Sequence, residues 1–273
     1  MKERGWKLNR KSPDPIMILF SIMAALLLTF IALPMVATIL SQDASSIASA
    51  LGDPEVQSAI AVSFGGALIA TALSCVFGIP LGYVMARSRF PGKGILQGII
   101  DLPVVIPHTV AGVALLVVFG RLGVFSSAMD AFNLRFEDEL LGIVVAMMFV
   151  SVSFVVNSSR DGFEAVDERL ENVARSLGAS RIEAIMTVTV PLSLPSIVTG
   201  AVMAWARAVS EFGAVVVIAY FPKIIPTLIY EKNLYSGLAA SLPVAALLII
   251  VCVVIFVALR TTTAIWKRRM EEE

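Results

Sequence analysis

The sequence is short of what most soluble enzymes rely on. Its 273 residues include one histidine and two cysteines, and 15% are charged. His108 stands by itself in Pro107-His108-Thr109, so no His/Cys/Asp/Glu group has metal-ligand spacing and no Ser/His/Asp array is available for nucleophilic catalysis. It reads as a hydrogen-bonded packing residue. Cys75 and Cys252 each lie inside an apolar run with no C-x-x-C neighbour, which excludes a redox pair and marks both as small buried hydrophobes. There is no G-x-x-x-x-G-K-[ST] phosphate loop. The nearest approach, Pro91-Gly92-Lys93-Gly94, lacks the upstream glycine. An enzymatic role is therefore not expected, and any nucleotide hydrolysis belongs to another chain. Formal net charge is zero and no Lys/Arg cluster of the nucleic-acid-binding kind occurs.

What the chain has in quantity is apolar sequence. It is 58% hydrophobic with mean hydropathy +0.87, far above the roughly 45–50% apolar content of a soluble domain. An all-α membrane protein follows. Six runs approach the roughly 20 residues needed to cross a bilayer: 16–40, 59–85, 99–120, 140–156, 196–220 and 242–259. Asp14-Pro15 and Asp53-Pro54 each pair an acidic N-cap with proline at the first helical position. The second predicts a helix from Pro54 to Ala86, longer than the membrane requires. The run after the basic tail 1–15 is too long for a signal-peptide core and is read as a retained first span. Sixteen of the 21 Lys/Arg fall in the N-terminal tail, the 87–93 turn, the 160–195 loop and the C-terminal stretch 260–273. The positive-inside rule then makes both termini and the 160–195 loop cytoplasmic. No loop is long enough for a separate soluble core, so residues 16–260 form one six-span domain. Gly65-Gly66, Gly78-x-x-x-Gly82 and Gly200-x-x-x-Ala204 read as close interior helix packing.

The polar loop carries its own pattern. From Asp167 to Leu177, the apolar residues Leu170, Val173, Ala174 and Leu177 recur at three- and four-residue spacing among charged neighbours, which predicts a short amphipathic helix. Gly178 supplies a left-handed stop, Ser180-x-x-Glu183 is a capping box for a second helix, and Pro191 reads as its stop. From pattern alone the loop is either a docking surface or a solvated connection.

Glu171 to Pro195 resembles the EAA loop of ABC importer permeases. Ala174 and Gly178 fill the alanine and glycine slots, and Val188, Val190 and Pro191 the closing Ile-x-Leu-Pro. Asn172 and Val173 stand where that pattern has Glu and Ala, with Glu171 one place early. Asp101–Gly123 and Ala206–Val215 are similar to the molybdate, tungstate and sulfate branch of these permeases, and SEFGAVVVIAY and PTLIYE resemble the archaeal molybdate/tungstate type. The resemblance covers about 59–259. It implies a type I ABC importer permease in the cell membrane, a homodimer joined by two ABC ATPase subunits and an extracytoplasmic oxyanion-binding protein. ATP and Mg would bind the ATPase, and this chain would hold no cofactor. The implied ATPase coupling residues are Glu171, Asn172, Ala174, Arg175, Gly178, Ala179 and Pro191. A sulfate permease is the alternative within the family. A secondary transporter working without a motor, or a membrane scaffold or sensor, is the alternative outside it.

Two charges stand out inside the fifth run. Counted from Pro195, Arg207 is roughly 18 Å and Glu211 about 24 Å into a core of about 30 Å. Charge at such depth is paired or faces water. The i,i+4 order Arg–Glu is the less favourable one on a helix, which directs attention to partners on other helices. The pair is either a structural ion pair or a cationic element of an oxyanion path. Pro226 predicts a short helix at the outer face.

Overall fold

The computed structural model describes residues 15–272. It contains thirteen α-helices and one π turn: α1 (Pro15–Leu40), α2 (Ala44–Gly52), α3 (Pro54–Arg87), α4 (Lys93–Val105), α5 (His108–Phe119), α6 (Ser126–Ala131), α7 (Leu140–Ala165), α8 (Glu168–Ser176), α9 (Arg181–Ala184), α10 (Val190–Val209), α11 (Val215–Ile218), α12 (Ile225–Ser236) and α13 (Leu238–Glu272), with the π turn at Ile185–Thr189. Asp53 caps α3, its Oδ1 accepting from Glu55 N at 2.9 Å, and α3 runs 34 residues as the Asp-Pro signal predicts. The Asp14 cap and the basic tail, apart from Pro15, lie outside the described residues. At the other end α13 continues unbroken to Glu272, past the expected boundary at 260.

The centre of the bundle is α7, flanked by α3 and α10. Small residues bring these helices together. A Cβ on Gly82 would lie 2.9 Å from Ser159 Cβ, and one on Gly200 would lie 2.6 Å from Ser158 Cβ. Helix association in lipid depends on such close approach. Gly66 and Gly78 also face α7, whereas Gly65 meets nothing within 4 Å and takes no part in packing within the chain. The main core, built on Ile143, Met147 and Val150 of α7, also takes in Ala67, Ala111, Ala208 and Val215. Among the membrane-length helices α1 is the exception, with no buried residue.

Two of the expected spans are not straight. Among the described residues, five helices are long and apolar enough to cross a bilayer, and α4 with α5 makes a sixth only as a pair bent by 113°. The bend falls at Ile106-Pro107, because a proline disfavours helix at the preceding residue. The pair still crosses the bundle. Gln97 of α4 bonds Asn157 and Arg160 near the last turns of α7, while Phe119 at the end of α5 stacks on Phe136 just before α7 begins. The fifth run is also redrawn: its helical path starts at Arg181 rather than at Ser196 and ends at Val209 rather than at Tyr220. Pro191 is not a stop. It occupies the first turn of α10, where its missing N–H is tolerated, and the preceding π turn absorbs one residue of register. The ends of α3 and α7, the start of α4, and α8 to the start of α10 all lie on one face, hereafter the Arg87 face. α12 and the starts of α3 and α13 lie on the opposite, Asp53 face.

Candidate functional site

The expected amphipathic helix forms as α8. Asp167 caps it by accepting from Arg169 N at 2.9 Å, and Arg175 occupies the last turn, opposite in sign to the acidic first turn, as the helix dipole favours. Gly178 follows with φ +100° and open space around its Cβ position, so its backbone conformation, not packing, calls for glycine. Ala179 N then donates to Ala174 O at 3.1 Å, closing the helix end. Ser180 and Glu183 form the predicted capping box, Glu183 N donating to Ser180 Oγ at 3.2 Å. Beyond it, α9, the π turn and α10 run on as one helical path toward the membrane.

The outward side of this unit is apolar. Leu170, Val173, Leu177, Ile182 and Met186 are exposed, Leu177 at 84%. Asn172, Arg175 and Pro191 are exposed beside them, and Ala174 and Ala179 are half-buried. Glu171 turns the other way. Its carboxylate accepts from Thr189 Oγ1 at 2.7 Å, Tyr83 OH at 2.9 Å and Arg87 Nε at 3.1 Å. Burial pushes this carboxyl upward, but the bonds from Thr189, Tyr83 and Arg87 outweigh it and hold it below the usual range. Arg87 also donates through Nη2 to Val166 O at 2.9 Å. Nothing in the loop pattern points to Tyr83, Arg87 or Thr189. The available signal is a tyrosine and an arginine one turn apart at the end of an over-long helix.

The two intramembrane charges do pair within their own segment. Arg207 Nη2 donates to Glu211 Oε2 at 2.7 Å despite the unfavourable order, because α10 ends at Val209 and Glu211 lies beyond the regular helix. Glu211 is 1% exposed, and its other oxygen accepts from Ala214 N at 2.7 Å. A partner from another helix is present as well: Arg207 Nη2 lies 2.7 Å from His108 Nε2. An arginine N–H only donates, so the imidazole nitrogen that meets it acts as the acceptor. The lone histidine is thus hydrogen-bonded, at the first residue after the α4/α5 bend. The cluster joins the two breaks in the bundle.

A second polar group lies where α4 meets α7. Asp101 accepts from Gln97 and Asn157 at 2.8 and 2.7 Å, and Arg160 donates to Gln97 Oε1 at 2.6 Å. On the Asp53 face, Pro226 opens α12 as expected. Lys223 donates to Glu231 at 2.7 Å and to Glu55 at 2.9 Å, and Tyr220 OH to Glu231 at 2.6 Å. These bonds tie α12 to the start of α3. The Glu231 bond holds the Tyr220 hydroxyl proton, pushing its pKa up to about 12, while Lys223 and then Tyr220 hold the Glu231 carboxyl below its usual range. Among the described residues, no group of three or more His/Cys/Asp/Glu is placed to hold a metal ion.

Known proteins resemble this chain in sequence and in fold. Residues 78–270 match the family described as "Binding-protein-dependent transport system inner membrane component". The molybdate/tungstate transport system permease protein of Thermococcus kodakarensis is 43% identical over 90% of this chain and 96% of its own length. The molybdenum transport system permease protein of Escherichia coli is 40% identical over 61% of this chain and 72% of its own. Among solved structures, the bacterial ABC transporter that imports the acidic polysaccharide alginate superposes with a TM-score of 0.67. It covers 90% of this chain and 95% of that one at 17% identity, a likeness of fold. A membrane-spanning helical chain with this match over most of its length is a multi-pass permease subunit and not an ATPase: it belongs to the family of binding-protein-dependent transport system inner membrane components.

Proposed function

We propose that the chain forms the translocation pathway of an ATP-driven importer for a tetrahedral oxyanion, molybdate or tungstate. The observation that carries this reading is the 43% identity to the Thermococcus kodakarensis molybdate/tungstate permease across 96% of that protein. The Arg87 face is cytoplasmic in this reading, both termini included, as the charge bias implies. Two copies of the chain enclose the path. Two ATPase subunits, which hold ATP and Mg, seat on the exposed side of α8 and its neighbours, around Asn172, Ala174, Arg175, Gly178, Ala179 and Pro191. An oxyanion-binding protein delivers cargo to the Asp53 face. Residues 16–260 make up the permease domain.

Arg207 and Glu211 serve this machine as structure. A guanidinium already neutralised by a buried carboxylate at 2.7 Å has little positive field left for a passing dianion. Full transport by a stably folded Arg207→Met complex would agree; a selective loss of anion flux would assign the arginine to the path.

The test is uptake of labelled molybdate into vesicles bearing the permease, its ATPase and its binding protein. Uptake is expected to require ATP, to be competed by tungstate more strongly than by sulfate, and to vanish in Gly178→Pro, where proline cannot adopt the positive φ. Uptake that persists without ATP and collapses with the ion gradient would overturn the importer reading. Stronger competition by sulfate would transfer the substrate to the sulfate branch.

A further inference from the structure

The carboxylate of Glu171 has its oxygens filled by donors from outside its own helix. Oε1 receives Thr189 and Arg87, and Oε2 receives Tyr83. Tyr83 and Arg87 lie one turn apart at the end of α3. Thr189 is fully buried in the π turn that leads into α10. The other arm of Arg87 reaches Val166, the residue that caps α7. One side chain of α8 is thereby tied to the ends of the second, fourth and fifth spans. Both charged partners are well shielded, with side chains 8% and 13% exposed. Shielding matters, because an ion pair in free solution would be too weak and too mobile to carry a displacement. The opposite side of α8 is apolar and open. The helix has two sides with separate jobs, one to receive a partner and one to grip the bundle.

We infer that Glu171, Arg87, Tyr83 and Thr189 form a transmission joint, through which movement of α8 is passed to three membrane helices at once. This rests on the reading above that α8 seats the ATPase. On this view Glu171 is a positioning residue and not an ATPase contact, although it lies beside the contact positions in sequence. A packed, fully bonded joint transmits movement because it has few alternative arrangements; loosening it lets α8 move without the spans following.

The experiment uses the complete importer in vesicles, with molybdate as the probe and three readouts: ATPase retained on the permease, ATP hydrolysed, and molybdate taken up per ATP. In Glu171→Gln and Arg87→Met the ATPase is expected to stay bound and hydrolysis to continue, while uptake per ATP falls by about fivefold or more, in the usual range of coupling between sites. Tyr83→Phe removes a single hydroxyl, so it reads the same joint if Arg87→Met does not fold, with a smaller fall. The reversed pair Arg87→Glu with Glu171→Arg should recover part of the ratio lost in either single change. Unchanged uptake per ATP in an intact Glu171→Gln complex overturns the joint. So does release of the ATPase from Glu171→Gln and Tyr83→Phe, which would make the cluster a scaffold for docking only. The underlying reading fails separately: Leu177→Asp alters the exposed side and spares the joint, and an ATPase that still binds it as tightly as wild type does not seat on α8.

Discussion

At the residue scale, the structure distinguishes charges that are fixed from charges that are displayed. Glu211 is fixed, bonded to Arg207 and to the backbone of Ala214 while fully enclosed. Removing it leaves the guanidinium without its counter-charge and the buried Ala214 N–H without its acceptor. Glu211→Ala is expected to cost about 3–5 kcal/mol, the range for breaking one side of a buried pair. Arg207→Met with Glu211→Gln should cost less than the sum of the two single changes. Thermal unfolding of the detergent-solubilised protein measures both, and a Glu211→Ala protein that melts with wild type would remove the clamp from the fold. Tyr220 sets a pH window at the Asp53 face. Its raised pKa means the fold favours the neutral phenol, so its contribution is complete below pH 10.0 and is lost as pH rises toward about 12. Glu231 has the opposite sign: its lowered pKa gives a contribution present above pH 4.5 and lost as acid protonates the folded carboxyl. Tyr220→Phe should flatten the alkaline limb of the melting temperature against pH and shrink the acid limb only in part, because Lys223 still holds the Glu231 carboxylate. An alkaline limb unchanged by that substitution would mean another group governs it.

At the element scale, the irregular pieces are held as firmly as the regular ones. The break after α10 lets Gly213 approach His108 so closely that a Cβ there would lie 2.8 Å from His108 Cβ. Next to it, α5 rests on the 214–218 segment through Gly112, where a Cβ would meet Val217 Cβ at 2.7 Å and Ala214 O at 2.8 Å. Backbone at 2.8 Å cannot yield as a flexible side chain would. Gly112→Leu is therefore expected to force α5 off α11 and destabilise the protein by about 1–3 kcal/mol or more, the usual cost of overpacking. Gly98, inside α4 with open space around it, is the control: Gly98→Ala should be neutral or gain about 0.5–1 kcal/mol. Equal melting shifts for the two substitutions would contradict the packing assigned to α5.

At the scale of the whole molecule, one chain leaves its first helix without a buried residue and exposes the apolar side of α8. A lipid bilayer accounts for α1 but not for a hydrophobic stripe on a polar loop. The importer reading supplies the second surface through the ATPase and predicts two copies of each. Native mass measurement of the co-expressed complex should give a two-to-two assembly, and a complex with a single permease copy would refute the homodimer.

The sequence by itself determined the class, the approximate place of the spans, the cap at Asp53 and the two-helix loop around Gly178, because hydropathy and capping act over a few neighbouring residues. The interruption near Pro107 was not among these, since 99–120 reads as one continuous span. The tertiary structure decided what happens between distant segments: the 113° angle at that interruption, the early end of α10 and the passage of the helix through Pro191. It decided also that Glu171 faces inward to Tyr83, Arg87 and Thr189, and that Arg207 meets both Glu211 and His108. Side-chain direction on a short helix depends on which remote donors it packs against, and no local spacing encodes a partner 84 or 99 residues away.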